Sequence, residues 1–428
     1  MSSIRTLFAL QVLINICSMD RDYSQGHAGI VRGRYRKYFL LERKFIMNSA
    51  ERHQLRYERR KAKREQKKLE KYQEICDFDN VFSFDNLYQA GKKCQKGVLW
   101  KASTQRYNMN MILNTYKQYK SLRNGTFKHG KFMQFDINER GKTRHIRATN
   151  ITERVVQKCL CDNCLVPVYS SSFIYDNSAS LKGKGMDFAL KRFKLQLQEQ
   201  YRKSGCNGYV VFYDFHDFFN LAPHEPLFAE SQRRILDERT RKISDDFIRD
   251  FTDCGLGLGS QVSQTNALML PSPLDHMCKE KLKIRGYGRY MDDGYAMCSS
   301  LEEAIYVKQE ILKKCAEIGI DINEKKTKIV PMKSKMKFLK TKFKLTKTGK
   351  VYLKMNSYST THLRQKLRKF KIQIDSAKLT ISDVRSSYNS YLGHMKRGNS
   401  YLIVEQTNQY FKELFGFYPD KNGWLENV

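Results

Sequence analysis

Apolar positions are distributed along this chain in a way that predicts both helices and strands, with strands paired in hairpins, an α+β protein. Residues 51–71 carry no apolar stripe; strong helix formers fill them and Ser49 can cap them, which predicts a solvated helix. Residues 131–137 and 143–149 alternate apolar and polar side chains around a polar, glycine-containing turn, the signature of a β-hairpin. Helical spacing follows over 151–164, a glycine loop over 180–186, and an amphipathic helix over 187–202. Residues 208–214 (GYVVFYD) form a nearly continuous apolar run that predicts a buried strand ending in a carboxylate. One charged helix is expected over 228–251, then a glycine turn entering a helix over 255–269. Residues 286–298 (GYGRYMDDGYAMC) read as strand, two-residue turn, strand. A helix over 301–318, a Lys-rich turn within 320–330, two short strands in 336–353 and helices near 361–375, 382–396 and 400–415 complete the pattern.

Composition adds a partner. The 428 residues hold 78 Lys+Arg against 44 Asp+Glu, a formal charge of +34, with 41% hydrophobic and 12% aromatic residues. That is enough apolar material for a sizeable core, and it excludes a disordered chain. Such a charge calls for a polyanion, for which nucleic acid is the first expectation, with a steep salt dependence of binding. Eleven cysteines, an odd number set among apolar neighbours, point to a reducing, cytoplasmic setting. Cys159, Cys161 and Cys164 are the one cysteine cluster; with no fourth zinc ligand at a useful spacing they read as buried small residues on a helix. No run approaches the roughly 20 apolar residues of a membrane span. The apolar stretch 7–17 is interrupted by Gln11 and Asn15, and a second Met at 47 makes residues 1–46 either a dispensable extension or a segment outside the natural product.

The chemistry concentrates at Tyr290-Met291-Asp292-Asp293. Two adjacent Asp at the tip of an apolar hairpin repel each other and resist burial without a counter-ion. A divalent cation, a hard ion that takes carboxylate oxygens, resolves this. Asp214 ends a second apolar strand 78 residues earlier, and carboxylates from two neighbouring strand ends can hold a pair of ions for in-line phosphoryl displacement. A lone Asp pair carries little weight, since such pairs often cap turns, as is expected of Asp245-Asp246.

With these motifs in place the chain resembles a reverse transcriptase over roughly residues 131–400, of the bacterial or phage retroelement type, similar to the diversity-generating retroelement and group II intron-like enzymes. The resemblance implies a right-hand polymerase with fingers, an antiparallel-sheet palm and a helical thumb. It implies that Asp214, Asp292 and Asp293 ligate two Mg²⁺ ions, with Mn²⁺ as a substitute. It assigns Arg144, in Gly141-Lys-Thr-Arg-His-Ile146, to the incoming triphosphate, and a guanidinium there suits bidentate phosphate contact. Phe219 becomes the steric gate against a ribose 2′-hydroxyl, and Lys182 and Lys184 of the glycine loop become phosphate contacts. The segment Gly255–Gln264 (GLGLGSQVSQ) resembles the template- and nucleotide-gripping motif, with Gly257 where a proline is common and Leu258 where retroviral enzymes carry Gln. Ser263-Gln264 replaces the commoner Ser-Pro, as in diversity-generating enzymes. Asn323-Glu-Lys-Lys-Thr327 matches the motif whose lysine protonates pyrophosphate, assigned to Lys326 with Lys325 beside it. Residues 338–343 resemble a primer-grip hairpin, and 393–400 resemble the tails of bacterial retroelement enzymes.

The expected domains are an N-terminal extension over 1–75 (disordered to 46, then a basic helix), fingers over 76–205, palm over 206–350 and thumb over 351–428. In the thumb, residues 363–371 carry five basic side chains opposite Leu363, Leu367 and Phe370, a stripe expected to face the body while cations face a duplex. Expected partners are an RNA template, a DNA or RNA primer and deoxynucleoside triphosphates, with an accessory protein as a candidate occupant of the 51–71 helix, and no membrane. The competing readings are a phage-defence polymerase and a non-catalytic, maturase-like RNA-binding protein on the same fold; an intact set of three Asp weighs against the second.

Overall fold

A computed structural model describes residues 48–130, 132–139, 142–250, 253–355 and 357–419; the expectations for residues 1–46 lie outside them. The chain divides into two units, residues 1–71 and 72–428. In the first, helix α1 begins; it spans Ser49–Cys76, and its residues before Tyr72 are almost all exposed, as a run of Lys, Arg and Glu requires. Its cap is Asn48, not Ser49: the Glu51 N–H donates to Asn48 Oδ1 at 2.8 Å, and the Asn48 N–H donates to Glu51 Oε2 at 3.0 Å. The Asn side chain one position earlier closes this reciprocal cap with Glu51.

In the second unit, helices α2 (Phe84–Cys94) and α3 (Met111–Arg123) precede the hairpin of β1 (Met133–Glu139) and β2 (Lys142–Ala148), which falls where alternation placed it. Helix α4 (Ile151–Leu160) continues through a π-helical turn, Cys161–Leu165. Cys159, Cys161 and Cys164 are fully buried there, and the Cys159 thiol donates to the Val81 carbonyl at 3.1 Å. Helix α5 (Met186–Ser204) leads into β3 (Tyr209–Asp214).

Strands β3, β4 (Tyr287–Tyr290), β5 (Asp293–Cys298) and β6 (Lys328–Pro331) form an antiparallel sheet in the order β4-β5-β3-β6. The apolar run of β3 is continuous because both its faces are covered. Val211 and Tyr213 join the core that includes Val307 and Ile311 of helix α9 (Leu301–Ile318). Val210 and Phe212 join Leu190, Phe193 and Leu197 of α5 on the other face. Burial on both faces thus removes apolar area from water, worth about 25 cal/mol per Å².

The expected helix over 228–251 is two: α6 (Glu225–Arg234) and α7 (Glu238–Arg249). Asp237 breaks it, since its carboxylate accepts from the Thr240 N–H at 3.0 Å and caps a new helix. Asp245 and Asp246 therefore sit inside α7 and cap nothing; burial holds the Asp245 carboxyl above its ordinary range. Helix α8 (Gln261–Met269) is capped by Ser260. Residues 336–354 give three strands rather than two, β7 (Met336–Phe338), β8 (Thr341–Leu345) and β9 (Val351–Lys354), in a second sheet over the α5 core. Helices α10 (Ser357–Asp375), α11 (Ile381–Met395) and α12 (Tyr401–Phe415) close the chain. The Leu363–Leu367 stripe packs against Tyr388, Tyr391 and Phe411 of α11 and α12, so it holds the three helices together instead of facing the sheets. Among the described residues no helix is long and apolar enough to cross a membrane.

Candidate active site

The antiparallel register sets Asp214, at the end of β3, opposite Asp293, at the start of β5. Strands β4 and β5 pair Tyr290 with Asp293, leaving Met291-Asp292 as the two-residue turn. Met291 has φ +54°, the left-handed value that tight hairpins need at the first turn position. Both turn carbonyls are held. The Phe215 N–H donates to the Asp292 carbonyl at 3.1 Å, and Arg289 Nη1 donates to the Met291 carbonyl at 3.0 Å. Asp214 and Asp293, from two neighbouring strands, and Asp292 of the turn therefore lie at one sheet end.

The loop after α9 supplies a cation that pairs with Asp214. The Asn323 N–H donates to the Asp214 carbonyl at 2.8 Å, and Lys326 Nζ donates to Asp214 Oδ1 at 2.6 Å. Of the two adjacent lysines it is Lys326 that reaches the carboxylates. Burial works against the Lys326 charge, but Asp214, Asp293 and Asp292 outweigh it and raise the ammonium above its ordinary range. Burial, the neighbouring Asp292 and Asp214 charges and a hydrogen bond to Asp214 push the Asp293 carboxyl up to about 7, against the pull of Lys326. Like charges brought this close repel one another, and a bound cation would relieve that repulsion. Hard oxygen donors fit Mg²⁺ or Mn²⁺ rather than a soft metal. Among the described residues, no group of three or more His, Cys, Asp or Glu is already arranged to hold a metal ion.

Residues assigned to the nucleotide fall in several places. Phe219 and Leu258, both half-buried, line one cavity of about 810 Å³ together with Ile146 and Arg147 of β2. Gly255 brings them together. Its φ is +88°, and a Cβ there would meet the Asn220 carbonyl oxygen at 2.5 Å. Arg144 lies in the same strand β2, opposite Ile137. Gln264 faces elsewhere, into a cavity of about 360 Å³ beside Lys93, Lys96, Arg154 and Lys158. Lys184 Nζ donates to the carbonyls of Tyr175 and Asn177 at 2.6 and 3.0 Å, and burial lowers its pKa although Asp176 opposes this. Asp217 has φ +41° and accepts from Asn220 Nδ2 at 2.8 Å, fixing the turn that carries Phe219.

Sequence reasoning passed over Arg289 and Asp275. Arg289, fully buried in β4, donates from Nε and Nη2 to Asp275 Oδ1 and Oδ2 at 2.9 and 2.7 Å, and from Nη2 to the Leu268 carbonyl at 2.9 Å. The Tyr287 hydroxyl donates to Asp275 Oδ1 at 2.7 Å and lies 2.7 Å from the Tyr213 hydroxyl. A charged residue in the middle of an apolar strand was the available signal. Gly294 makes room for this network: a Cβ there would lie 2.1 Å from Tyr213 Cζ. Gly294→Ala is expected to destabilise the fold by about 1–3 kcal/mol, through displacement of the Tyr213 ring; urea unfolding midpoints measure it.

Residues 128–343, about half of the chain, match the family described as Reverse transcriptase (RNA-dependent DNA polymerase). The chain belongs to that family, whose domain is that of RNA-directed DNA polymerases, a class of nucleotidyltransferase. Among solved structures, the chain is similar to telomerase from Candida albicans, in complex with a TWJ fragment of telomeric RNA, at 12% identity and TM-score 0.40. The similarity covers 67% of this chain and 59% of that one. Apo telomerase from Candida tropicalis is similar at 12% identity and TM-score 0.43, over 68% and 60% of the two chains. The chain thus spans about 60% of the length of these structures. No curated protein matches the sequence.

Proposed function

We propose that the chain extends a primer with deoxynucleotides on an RNA template, in a bacterial or phage retroelement. The observation that carries this is the pairing of Asp214 with Asp293 beside the Met291-Asp292 turn. On this reading residues 76–205 are the fingers, 206–350 the palm and 351–428 the thumb, whose basic helix α10 lies along the template–primer duplex. Asp214, Asp292 and Asp293 would hold two Mg²⁺ ions, or Mn²⁺, which when bound make the primer 3′-hydroxyl more acidic and neutralise the leaving pyrophosphate. Lys326 Nζ carries a proton that its carboxylate neighbours hold in place, and gives it to the pyrophosphate oxygen as the P–O bond breaks. Phe219 excludes a 2′-hydroxyl by volume, and Arg144 takes the triphosphate.

Primer extension on a defined RNA template tests the reading. Wild-type protein should add deoxynucleotides in the order the template dictates, only with a divalent cation present; template-independent addition or none overturns it. Leu258 carries a second expectation. An apolar side chain lining the Phe219 cavity offers the nucleotide no hydrogen bond, so base selection loosens. Leu258→Gln should lower misincorporation by about tenfold, the effect of roughly one hydrogen bond, measured by sequencing the products.

A further inference from the structure

The Arg289 side chain bonds to both the turn carrying the carboxylates and the helix that follows the glycine segment. Its guanidinium is buried without solvent contact and is forked onto Asp275. Its remaining donors reach main-chain oxygens on two different elements: Nη1 to Met291 in the turn, and Nη2 to Leu268 near the end of α8. Its backbone is engaged as well. The Arg289 N–H donates to the Asp176 carbonyl at 3.2 Å, and the Ser178 N–H donates to the Arg289 carbonyl at 3.0 Å. This ties β4 to the segment that leads into the basic glycine loop.

A buried guanidinium used this way is an expensive element of structure. Replacing a buried ion pair by apolar side chains of similar volume is often neutral or stabilising, so stability alone does not account for it. The fixed fork geometry supplies something apolar side chains cannot: donors at set angles to two carbonyls on separate elements.

We infer that Arg289 is a positioning residue for polymerisation: through its bonds to the Met291 and Leu268 carbonyls it holds the Asp292-bearing turn in register with helix α8. Asp275 orients the guanidinium and balances its charge. Asp292 then meets the reacting phosphate at a fixed distance from the nucleotide held by the glycine segment. A displacement of about 1 Å between groups so arranged costs on the order of 100-fold in rate.

The inference rests on the proposed polymerase activity, and the test separates the two. Arg289→Lys keeps the charge but loses the fork; Arg289→Met with Asp275→Leu removes both charges, so neither is left buried alone. Both variants should fold, the double variant with a thermal midpoint near or above wild type. Both should lose about 100-fold in kcat for single-nucleotide addition, with the nucleotide KM and the RNA–primer Kd within about twofold of wild type. If the double variant regains wild-type stability and wild-type kcat together, Arg289 serves the fold alone and the inference fails. Should the double variant not fold, Arg289→Lys decides: a folded protein with unchanged kcat also overturns it. Failure of wild type itself to extend a primer removes the polymerase reading instead.

Discussion

Asp292→Asn is expected to lower the rate of nucleotide addition by about 10³-fold or more, while the protein stays folded. The amide keeps the size of the side chain and removes a charged oxygen donor, and several kcal/mol of transition-state stabilisation corresponds to that factor. The same substitution should make the metal-free protein more resistant to heat above pH 7. Asp293 is pushed up to about 7 by burial first and by Asp292 and Asp214 next. A carboxyl raised above its unfolded value binds more protons folded than unfolded between about pH 4 and 7, so its contribution to stability is complete below that window and is lost as pH rises through it. Removing the Asp292 charge relieves part of the loss. Asp293 is only half-buried and the three groups are coupled, so the gain is on the order of 1 kcal/mol, or a few degrees in midpoint. Thermal melts in chelator at pH 5 and pH 8 measure it: the wild type should lose more stability between the two than the variant does.

Lys326→Ala is expected to lower kcat by about 100-fold with little change in the nucleotide KM, as loss of a general acid does. It should also lower the Mg²⁺ concentration needed for half-maximal rate. Lys326 Nζ sits 2.6 Å from Asp214 Oδ1, and removing it frees that oxygen and deletes a positive charge beside the cation site. A purely structural role for the ion pair would move stability and leave the metal requirement where it was. Because Asp214, Asp293 and Asp292 raise the Lys326 ammonium above its ordinary range, it stays protonated throughout the neutral region.

The strands and their carboxylates were legible because their signals are local. An unbroken apolar run ending in Asp predicts a strand covered on both faces, and β3 is one, with Val211 and Tyr213 on one core and Val210 and Phe212 on the other. Two adjacent Asp at the tip of an apolar hairpin predict a turn; the turn is Met291-Asp292, one position earlier, and Asp293 starts β5. Where the reading missed, the deciding interaction was one side chain long. Asp237 ends one helix and caps the next, which periodicity over 228–251 does not register. Asn48 rather than Ser49 closes the first helix, a choice between adjacent candidates that both suit the position. Leu363 and Leu367 do form a stripe, but the pattern of one helix does not say which neighbour receives it. The Arg289–Asp275 pair escaped because its partners lie 14 residues apart and on separate elements. Motif order likewise grouped Gln264 with Leu258, whereas helix α8 turns Gln264 towards Lys93, Lys96 and Arg154 and the glycine segment turns Leu258 towards Phe219.

The most direct measurement is single-nucleotide addition opposite a chosen RNA template base by the wild type and by Asp214→Asn, each shown to be folded. The wild type should add the complementary deoxynucleotide when Mg²⁺ is supplied, and the variant should add almost none. An Asp214→Asn protein that copies RNA at the wild-type rate would contradict the assignment of catalysis to the carboxylates that β3 and β5 bring together.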